Sequence, residues 1–232
     1  MTALVRMRLI AFAGSGRVVA PAILSLAVLG VLYGGGSSLA APVYGYSATI
    51  FFPVLAWLVK LLLDTEPDVQ RRLARIAVGP RRESLAGLLA ATLAGLLLCA
   101  FAMAAPLLVG AIRGPEPGTT EPPLLTGILL GALAHLLALA AALALGALSS
   151  RVVAGTLSKG LMILVGGAIL VIILGLSRSI APWLVPPVMA TARALNADTL
   201  PDAARVALLT AWTAAWCLIT LTAYARLRTR RA

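Results

Sequence analysis

The sequence predicts an all-α, polytopic membrane protein with six transmembrane helices in a single domain, residues 1–232. Of its 232 residues, 61% are hydrophobic and only 12% are charged, whereas a soluble domain carries about 25% charged residues. The apolar residues also fall in runs close to the roughly 20 residues that a helix needs to cross a bilayer. These runs lack the alternation of polar and apolar residues that is typical of a transmembrane β-barrel.

The chain begins with a short segment of mixed polarity, residues 1–16, in which Arg6 and Arg8 stand among apolar side chains. This pattern predicts an amphipathic helix that lies on the membrane surface. The first span is expected at residues 17–33. Because a second apolar run follows after only a Gly/Ser/Ala turn, we interpret the first run as a retained anchor rather than a cleaved signal.

Five further apolar runs follow, and each ends at a polar or Pro/Gly-rich stretch. The run that ends at Ile112 is long, and Pro106 is expected to kink it. The predicted spans cover residues 43–63, 85–112, 124–148, 160–176 and 205–224.

Basic residues are distributed unequally between the two sides of these spans. Since cytoplasmic loops carry the excess of Lys and Arg, the distribution predicts that both termini are cytoplasmic. The net charge of +11 is therefore assigned to topology and to attraction for anionic membrane lipids, with no nucleic acid as partner. Arg17 and Arg205 lie at span boundaries. The richer side holds Arg6, Arg8, Arg71, Arg72, Arg75, Arg81, Arg82, Arg151, Lys159, Arg226, Arg228, Arg230 and Arg231, and the other holds Arg113, Arg178 and Arg193.

Residues 64–84 form the most polar loop, and they contain the start and stop signals of a short helix at 66–78. Thr65 and Asp68 form a Thr-x-x-Asp capping pattern, and Pro67 suits the first turn. Gly79 followed by Pro80 is expected to end the helix.

The predicted helix is amphipathic, with an apolar stripe and a basic face. Val69, Leu73 and Ile76 recur at helical spacing, and the arginines lie off that stripe. Two interpretations stay open, namely a membrane-surface helix that only anchors the loop and a docking surface for a cytoplasmic partner.

Residues 177–204 contain too many prolines for one helix and too many apolar residues for a solvated loop. Trp183 stands where an interfacial aromatic residue belongs. Irregular backbone within a bilayer is tolerated only when it is buried in protein or lines a cavity. We therefore expect short extracytoplasmic helices that dip back toward the bilayer, with an ordinary ordered loop as the alternative. Asp198 and Asp202 are expected to cap helices in this segment.

Few polar or sulfur-containing residues occur within the predicted spans. His135 lies in the middle of span four with no Asp, Glu, Cys or second His at i±3 or i±4, so we expect a packed, hydrogen-bonded histidine rather than a metal ligand. Lys60 is expected to extend toward the interface, and Cys99 and Cys217 are interpreted as small apolar residues. No acidic residue lies well inside a span, which disfavours a proton- or sodium-coupled carrier.

In its layout the chain resembles the permease subunit of a type-2 ABC exporter. Four features match in order along the whole chain: an elbow helix at 1–16, a coupling loop at 64–84 with Glu66-Pro67-Asp68 at its entry, a re-entrant segment with Pro182-Trp183 and Pro186-Pro187, and a basic tail. The chain keeps a Gly79-Pro80-Arg81-Arg82-Glu83 exit from the coupling loop, but it lacks the Gly-Thr-Leu triplet that the family often carries there.

The resemblance implies a non-catalytic transport subunit with no catalytic residue, metal or cofactor of its own. The sequence lacks a Gly-x-x-x-x-Gly-Lys-Ser/Thr phosphate loop, so ATP and Mg²⁺ are expected in a separate cytoplasmic ABC ATPase, present in two copies. A second permease copy or a paralogous permease would complete the assembly. Ala, Leu, Arg and Gly dominate the composition, as high-GC bacterial genomes encode, so we expect a bacterial inner membrane. The expected ATPase-docking residues are Glu66, Asp68, Val69, Arg71, Arg72, Leu73, Arg75 and Ile76.

The implied cargo is apolar or amphipathic: a peptide antibiotic, a drug or a lipid-like molecule moved by alternating access. Aromatic residues of span two and glycines of span five could line its path, although interfacial anchoring and helix packing explain them equally. These residues are Tyr44, Tyr46, Phe51, Trp57, Gly166 and Gly167. The alternative functions are a channel or accessory assembly protein and, less favoured because His135 stands alone, an intramembrane enzyme that modifies lipid.

Overall fold

The computed structural model describes residues 1–117, 119, 121–197 and 199–230, without the side chain of residue 230. Asp198 and Arg231, which figure in the expectations above, lie outside the described residues. The helices are α1 (Thr2–Gly14), α2 (Val19–Tyr33), α3 (Ala40–Leu63), α4 (Asp68–Val78), α5 (Pro80–Leu108), α6 (Leu124–Leu148), α7 (Arg151–Ala154), α8 (Leu157–Leu174), α9 (Val188–Leu195) and α10 (Ala203–Arg230), with a 3-10 turn at Pro182–Leu184.

Five stretches are long and apolar enough to cross a membrane: α3, α5, α6 continued through α7, α8 and α10. Helix α2 has only 15 residues, which is about 22 Å of helix against the roughly 30 Å of a hydrocarbon core. It supplies a sixth crossing only together with α1, from which it is bent by 74°. The prediction of an all-helical chain with several helices long and apolar enough to cross a membrane is confirmed, and among the described residues there are five such helices, or six with this bent pair.

Two predicted boundaries need correction. Span three was expected to reach Ile112, but α5 ends at Leu108, and Gly110, with φ +68°, turns the chain out of the helix. Strand β2 (Ile112–Arg113) then pairs in parallel with β1 (Ser38–Leu39), where only a turn was expected. At the other end of the chain, span six does not stop at residue 224, because α10 stays helical through the basic segment to Arg230.

Helix α3 lies at the centre of the molecule, and α6 packs directly against it. A Cβ atom built on Gly131 of α6 would lie 2.5 Å from Tyr44 Cβ, and one on Gly146 would lie 2.6 Å from Val59 Cβ. Small residues of this kind let two helix backbones approach closely. The α3–α6 contact therefore requires glycine at these positions of α6, because a larger residue would clash with α3.

The segment between α8 and α10 contains short helices, as predicted, and it packs into the helical core. A Cβ on Gly45 of α3 would lie 3.1 Å from Leu195 Cβ of α9, and Val185 and Val188 are buried in the main apolar cluster. The indole of Trp216 in α10 donates to the Leu184 carbonyl at 3.0 Å. As expected of a cap, Asp202 accepts a hydrogen bond from the amide of Arg205 at 2.8 Å.

Candidate coupling site

Helix α4 occupies the predicted position and ends at Gly79 as expected, but its start forms differently from the expectation. Pro67 is the residue before the helix, with extended backbone (φ −60°, ψ 148°). Thr65 does not cap α4, because its hydroxyl donates to the Leu61 carbonyl of α3 at 2.7 Å. Gly79, with φ +84°, ends α4, and Pro80 is the first residue of α5, where its missing N–H has no consequence. One residue therefore separates the two helices.

The inner face of α4 carries a buried arginine. The guanidinium of Arg71 donates to the Glu66 carbonyl at 3.1 Å and to Asp68 Oδ1 at 3.2 Å. Burial lowers the pKa of Arg71, and the nearby Asp68 carboxylate opposes that shift. A guanidinium keeps its proton in proteins, so Arg71 is a buried cation that fixes the start of the helix.

A buried carboxylate joins α4 to three other helices. Glu83, at the start of α5, is 1% exposed. Its Oε1 pairs with Arg8 Nη2 of α1 at 2.5 Å, its Oε2 pairs with Arg228 of α10, and Arg75 Nε of α4 lies 3.4 Å from the same Oε2. Guanidinium groups from α1, α4 and α10 therefore converge on one carboxylate of α5.

Arg8 extends this ionic cluster. It also pairs with the Glu66 carboxylate, and its Nη1 donates to the Glu83 carbonyl at 2.9 Å. A Cβ on Gly87 would lie 2.4 Å from Arg8 Nη1, so this glycine makes room for the guanidinium. Arg228 donates to the Tyr224 hydroxyl as well.

A second ionic contact lies at the end of α3. Lys60 was expected to extend toward the interface; its side chain is 2% exposed, and its ammonium pairs with Asp64, one turn later at the end of α3. Asp64 Oδ1 also accepts the amide hydrogen bond of Arg151 at 2.7 Å, and the Asp64 carbonyl accepts from Arg17 at 3.0 Å. This carboxylate therefore satisfies a buried lysine and holds α7 beside the start of α4.

The outer face of α4 is apolar and uncovered. The exposed fractions of Val69, Leu73 and Ile76 are 70%, 61% and 84%, so the predicted apolar stripe points away from the rest of the chain. The structure divides the eight expected docking residues into two groups. Glu66 and Arg71 are buried and Arg75 is nearly so, whereas Asp68, Val69, Arg72, Leu73 and Ile76 are exposed.

The structure does not bring the six expected substrate-path residues together. Tyr44 and Phe51 are fully buried, and the Tyr44 hydroxyl donates to the Met103 carbonyl at 2.8 Å. Tyr46 is half exposed, Trp57 packs at the edge of the core, and Gly167 packs against Leu145 while Gly166 faces open space.

None of those six lines the large apolar cavity of about 950 Å³ between α1, α2 and α5. Phe12 of α1, Pro21 of α2 and Leu97 of α5 are among the residues that line this cavity.

His135 is packed and hydrogen-bonded, as predicted. It is 1% exposed, with Nδ1 2.9 Å from the Gly131 carbonyl oxygen and Nε2 3.2 Å from Ser47 Oγ. The Tyr44 ring stands edge-on to it, with ring centroids 6.0 Å apart. In the part of the chain that the structure describes, no three His, Cys, Asp or Glu residues are grouped so that they could hold a metal ion.

Sequence reasoning missed the ionic cluster itself. It assigned Arg8 to the surface helix, Glu83 to the loop exit and Arg228 to the basic tail. One signal was available, since the four acidic residues on the predicted cytoplasmic side, Asp64, Glu66, Asp68 and Glu83, all fall within 64–84. Which guanidinium meets which carboxylate depends on helix packing, which residue spacing does not specify.

Fold and site together define an α-helical protein, with several helices long and apolar enough to cross a membrane, that presents an ionically anchored amphipathic helix at one end. No protein-family model, curated protein or solved structure matches the chain.

Proposed function

We propose that the chain is the membrane-spanning subunit of an ATP-driven ABC exporter and that a separate ATPase docks on α4. The observation that carries the proposal is the two-sided character of this helix. Its outer face exposes a row of large apolar side chains, which is typical of a surface that contacts a partner. Its inner face is tied to α5 through the pair between Arg75 and the buried Glu83, and the same carboxylate pairs with arginines of α1 and α10.

The ionic cluster supplies a mechanical link between the docking face and the spans. A partner that pushes on Val69, Leu73 and Ile76 displaces α4, and the pairs at Glu83 carry that displacement to the ends of three other helices. ATP binding and hydrolysis in two ATPase subunits would then bias the spans between inward- and outward-facing arrangements. The cargo is apolar or amphipathic, since no carboxylate stands well inside a span to bind a cation.

Co-purification of this chain with the product of the neighbouring reading frame, which we expect to be a phosphate-loop ATPase, tests the proposal. We expect Ile76→Asp to reduce the bound ATPase at least ten-fold and to remove stimulation of ATP hydrolysis, because a desolvated carboxylate at the interface is costly. The matched control is Ile180→Asp. Ile180 is 96% exposed and follows the far end of α8, away from α4. Unchanged ATPase binding in the Ile76→Asp variant would contradict docking at α4.

Substitutions on the outer face give a cleaner test than changes at Arg71 or Arg75. Those two arginines are buried or nearly buried in ion pairs, so their replacement would disturb the fold and docking together. The outer face has no such contact within the described chain, and its variants report on the partner alone.

A further inference from the structure

A polar cleft of about 410 Å³ lies between α4 and α7. Three arginines of α4, Arg71, Arg72 and Arg75, line it together with Arg151 at the start of α7. Asp68 contributes the one carboxylate among its described lining residues. The lining therefore carries four positive charges and one negative charge, on the side of the molecule where basic residues predominate.

Two of these four arginines already have carboxylate partners within the chain. Arg71 pairs with Asp68, and Arg75 pairs with the buried Glu83. Arg72 and Arg151 are exposed, and neither guanidinium takes part in a hydrogen bond or an ion pair with any residue that the structure describes. The cleft thus presents two arginines without a carboxylate partner beside two that have one.

Hydrogen bonds hold the two helices that form the cleft in place. The hydrogen bond from the Arg151 amide to Asp64 Oδ1, at 2.7 Å, holds α7 next to the α3–α4 connection. Arg71 fixes the first turn of α4 through the Glu66 carbonyl, at 3.1 Å. Asp68, Arg72 and Arg75 stand at i, i+4 and i+7 on α4, which places them on one face of the helix.

We propose that this cleft binds the phosphate group of an anionic ligand, held chiefly by Arg72 and Arg151. A guanidinium presents a planar fork of N–H donors that matches two phosphate oxygens. The volume of the cleft falls within the range of ordinary small-ligand pockets. The phosphate belongs either to an anionic phospholipid headgroup, which basic clefts at the cytoplasmic ends of spans can recognise, or to a soluble phosphate compound.

This proposal does not depend on the docking of an ATPase. The apolar residues assigned to docking, Val69, Leu73 and Ile76, are centred about 100° around the helix axis from the face of Asp68, Arg72 and Arg75, at 100° per residue, and Arg151 lies on a different helix. Because phosphate binding is measured on the chain without an ATPase, its loss is observed separately from loss of ATPase binding.

The experiment uses the purified full chain in a neutral detergent and has two arms. In the first, native mass spectrometry measures retention of phosphatidylglycerol against phosphatidylcholine over a range of lipid concentrations. In the second, the apparent melting temperature is followed as inorganic phosphate or pyrophosphate is added, since a ligand that binds only the folded state raises it.

The test variant is Arg72→Gln with Arg151→Gln. Because neither guanidinium is paired within the described chain, the fold is expected to persist, which an unchanged melting temperature without ligand confirms. The matched control is Arg6→Gln with Arg226→Gln, which removes two exposed charges from the same side of the molecule but away from the cleft.

Saturable binding in the first arm that weakens at least ten-fold in the cleft variant, with no change in the control, identifies a phospholipid headgroup as the ligand. The same pattern in the second arm alone identifies a soluble phosphate. Absence of saturable binding in both arms, or equal weakening in the control variant, overturns the proposal.

Discussion

At Glu83, one carboxylate that is almost completely buried meets guanidinium groups from three different helices. Taking charges out of water is costly, and such a group persists because its partners and hydrogen bonds offset that cost. Removal of the carboxylate would leave Arg228 and Arg75 without a carboxylate partner and Arg8 with Glu66 alone. The residue therefore has a structural effect far larger than that of an exposed ion pair.

We expect Glu83→Gln to lower the free energy of unfolding by about 3–5 kcal/mol, the usual cost of breaking a buried pair by removing one partner. Denaturant or thermal unfolding in detergent measures the change. Glu116→Gln is the control, because Glu116 is a mostly exposed residue whose pair with Arg113 spans 3.6 Å and should change stability by no more than about 0.5 kcal/mol. Equal effects of the two substitutions would contradict the assigned role of Glu83.

In the loop between α5 and α6, the pair of Glu121 with Arg113 predicts how the stability of the folded chain changes with pH. Arg113 binds its carboxylate with two hydrogen bonds, at 2.6 and 2.9 Å, and this pairing lowers the pKa of Glu121 to about 2. An unfolded glutamate has a pKa of about 4.3. The pairing therefore stabilises the folded chain above about pH 4, and its contribution is lost as the pH falls from there through about 2.

Infrared difference titration of the wild type against Glu121→Gln isolates this carboxyl group. We expect its protonation near pH 2, and in an Arg113→Gln background we expect the pKa of Glu121 to rise toward the ordinary value. Protonation near pH 4 in the wild type would show that the Arg113 pair does not persist in solution.

On the scale of elements, the close approach of α3 and α6 depends on the glycines of α6. Gly127 and Gly131 follow a small-xxx-small spacing, and Gly146 lies further along the same side. That spacing is visible in the sequence, and it could have indicated the contact. The spacing could not indicate which helix packs on the glycine face of α6, because apolar helices of similar composition present similar faces.

We expect Gly131→Ala to destabilise the protein by about 1–3 kcal/mol, a typical cost of overpacking a core, because the new methyl group would meet the first side-chain carbon of Tyr44. Gly166→Ala in α8 is the control, since nothing lies within 4 Å of its added Cβ. Unfolding measurements in detergent compare the two. A neutral Gly131→Ala variant would mean that α3 and α6 are further apart than described.

The sequence predicted where helices begin and end more accurately than it predicted which helices contact one another. Span four was predicted at 124–148, which are the bounds of α6, and the position of α4 was predicted from Gly79 and Pro80. The orientation of α4 could not be predicted, because an amphipathic pattern does not specify which face is inward. The expected docking arginines Arg71 and Arg75 face inward on α4. Arg71 donates to Asp68 and to the Glu66 carbonyl, and Arg75 pairs with the buried Glu83.

For the whole molecule, the distribution of charge defines two ends. The α4 end carries Arg72 and Arg151, whereas Ile180 follows the opposite end of α8. Arg17 and Arg205, which the sequence left at span boundaries, divide between these ends: Arg17 hydrogen-bonds to Asp64 near α4, and Arg205 lines a cleft with Arg193 at the other. From the positive-inside rule we expect the α4 end to face the cytoplasm.

Labelling with a membrane-impermeant maleimide tests this orientation. We expect a cysteine at Ile76 to react only in inside-out vesicles and a cysteine at Ile180 only in right-side-out vesicles. Cys99 and Cys217 lie within spans and are replaced by alanine beforehand to remove background. The reverse pattern would invert the molecule and place the docking face outside the cell.

The single residue between α4 and α5 limits how far their ends can separate. Two virtual bonds of 3.8 Å join the Cα atoms of Val78 and Pro80, so these helix ends cannot move apart by more than about 7 Å, whatever acts on the outer surface. Any larger displacement of α4 must therefore move the amino-terminal end of α5 as well. Helices α4 and α5 are thus joined covalently as well as ionically, and inserting residues between them would let one helix move while the other stays in place.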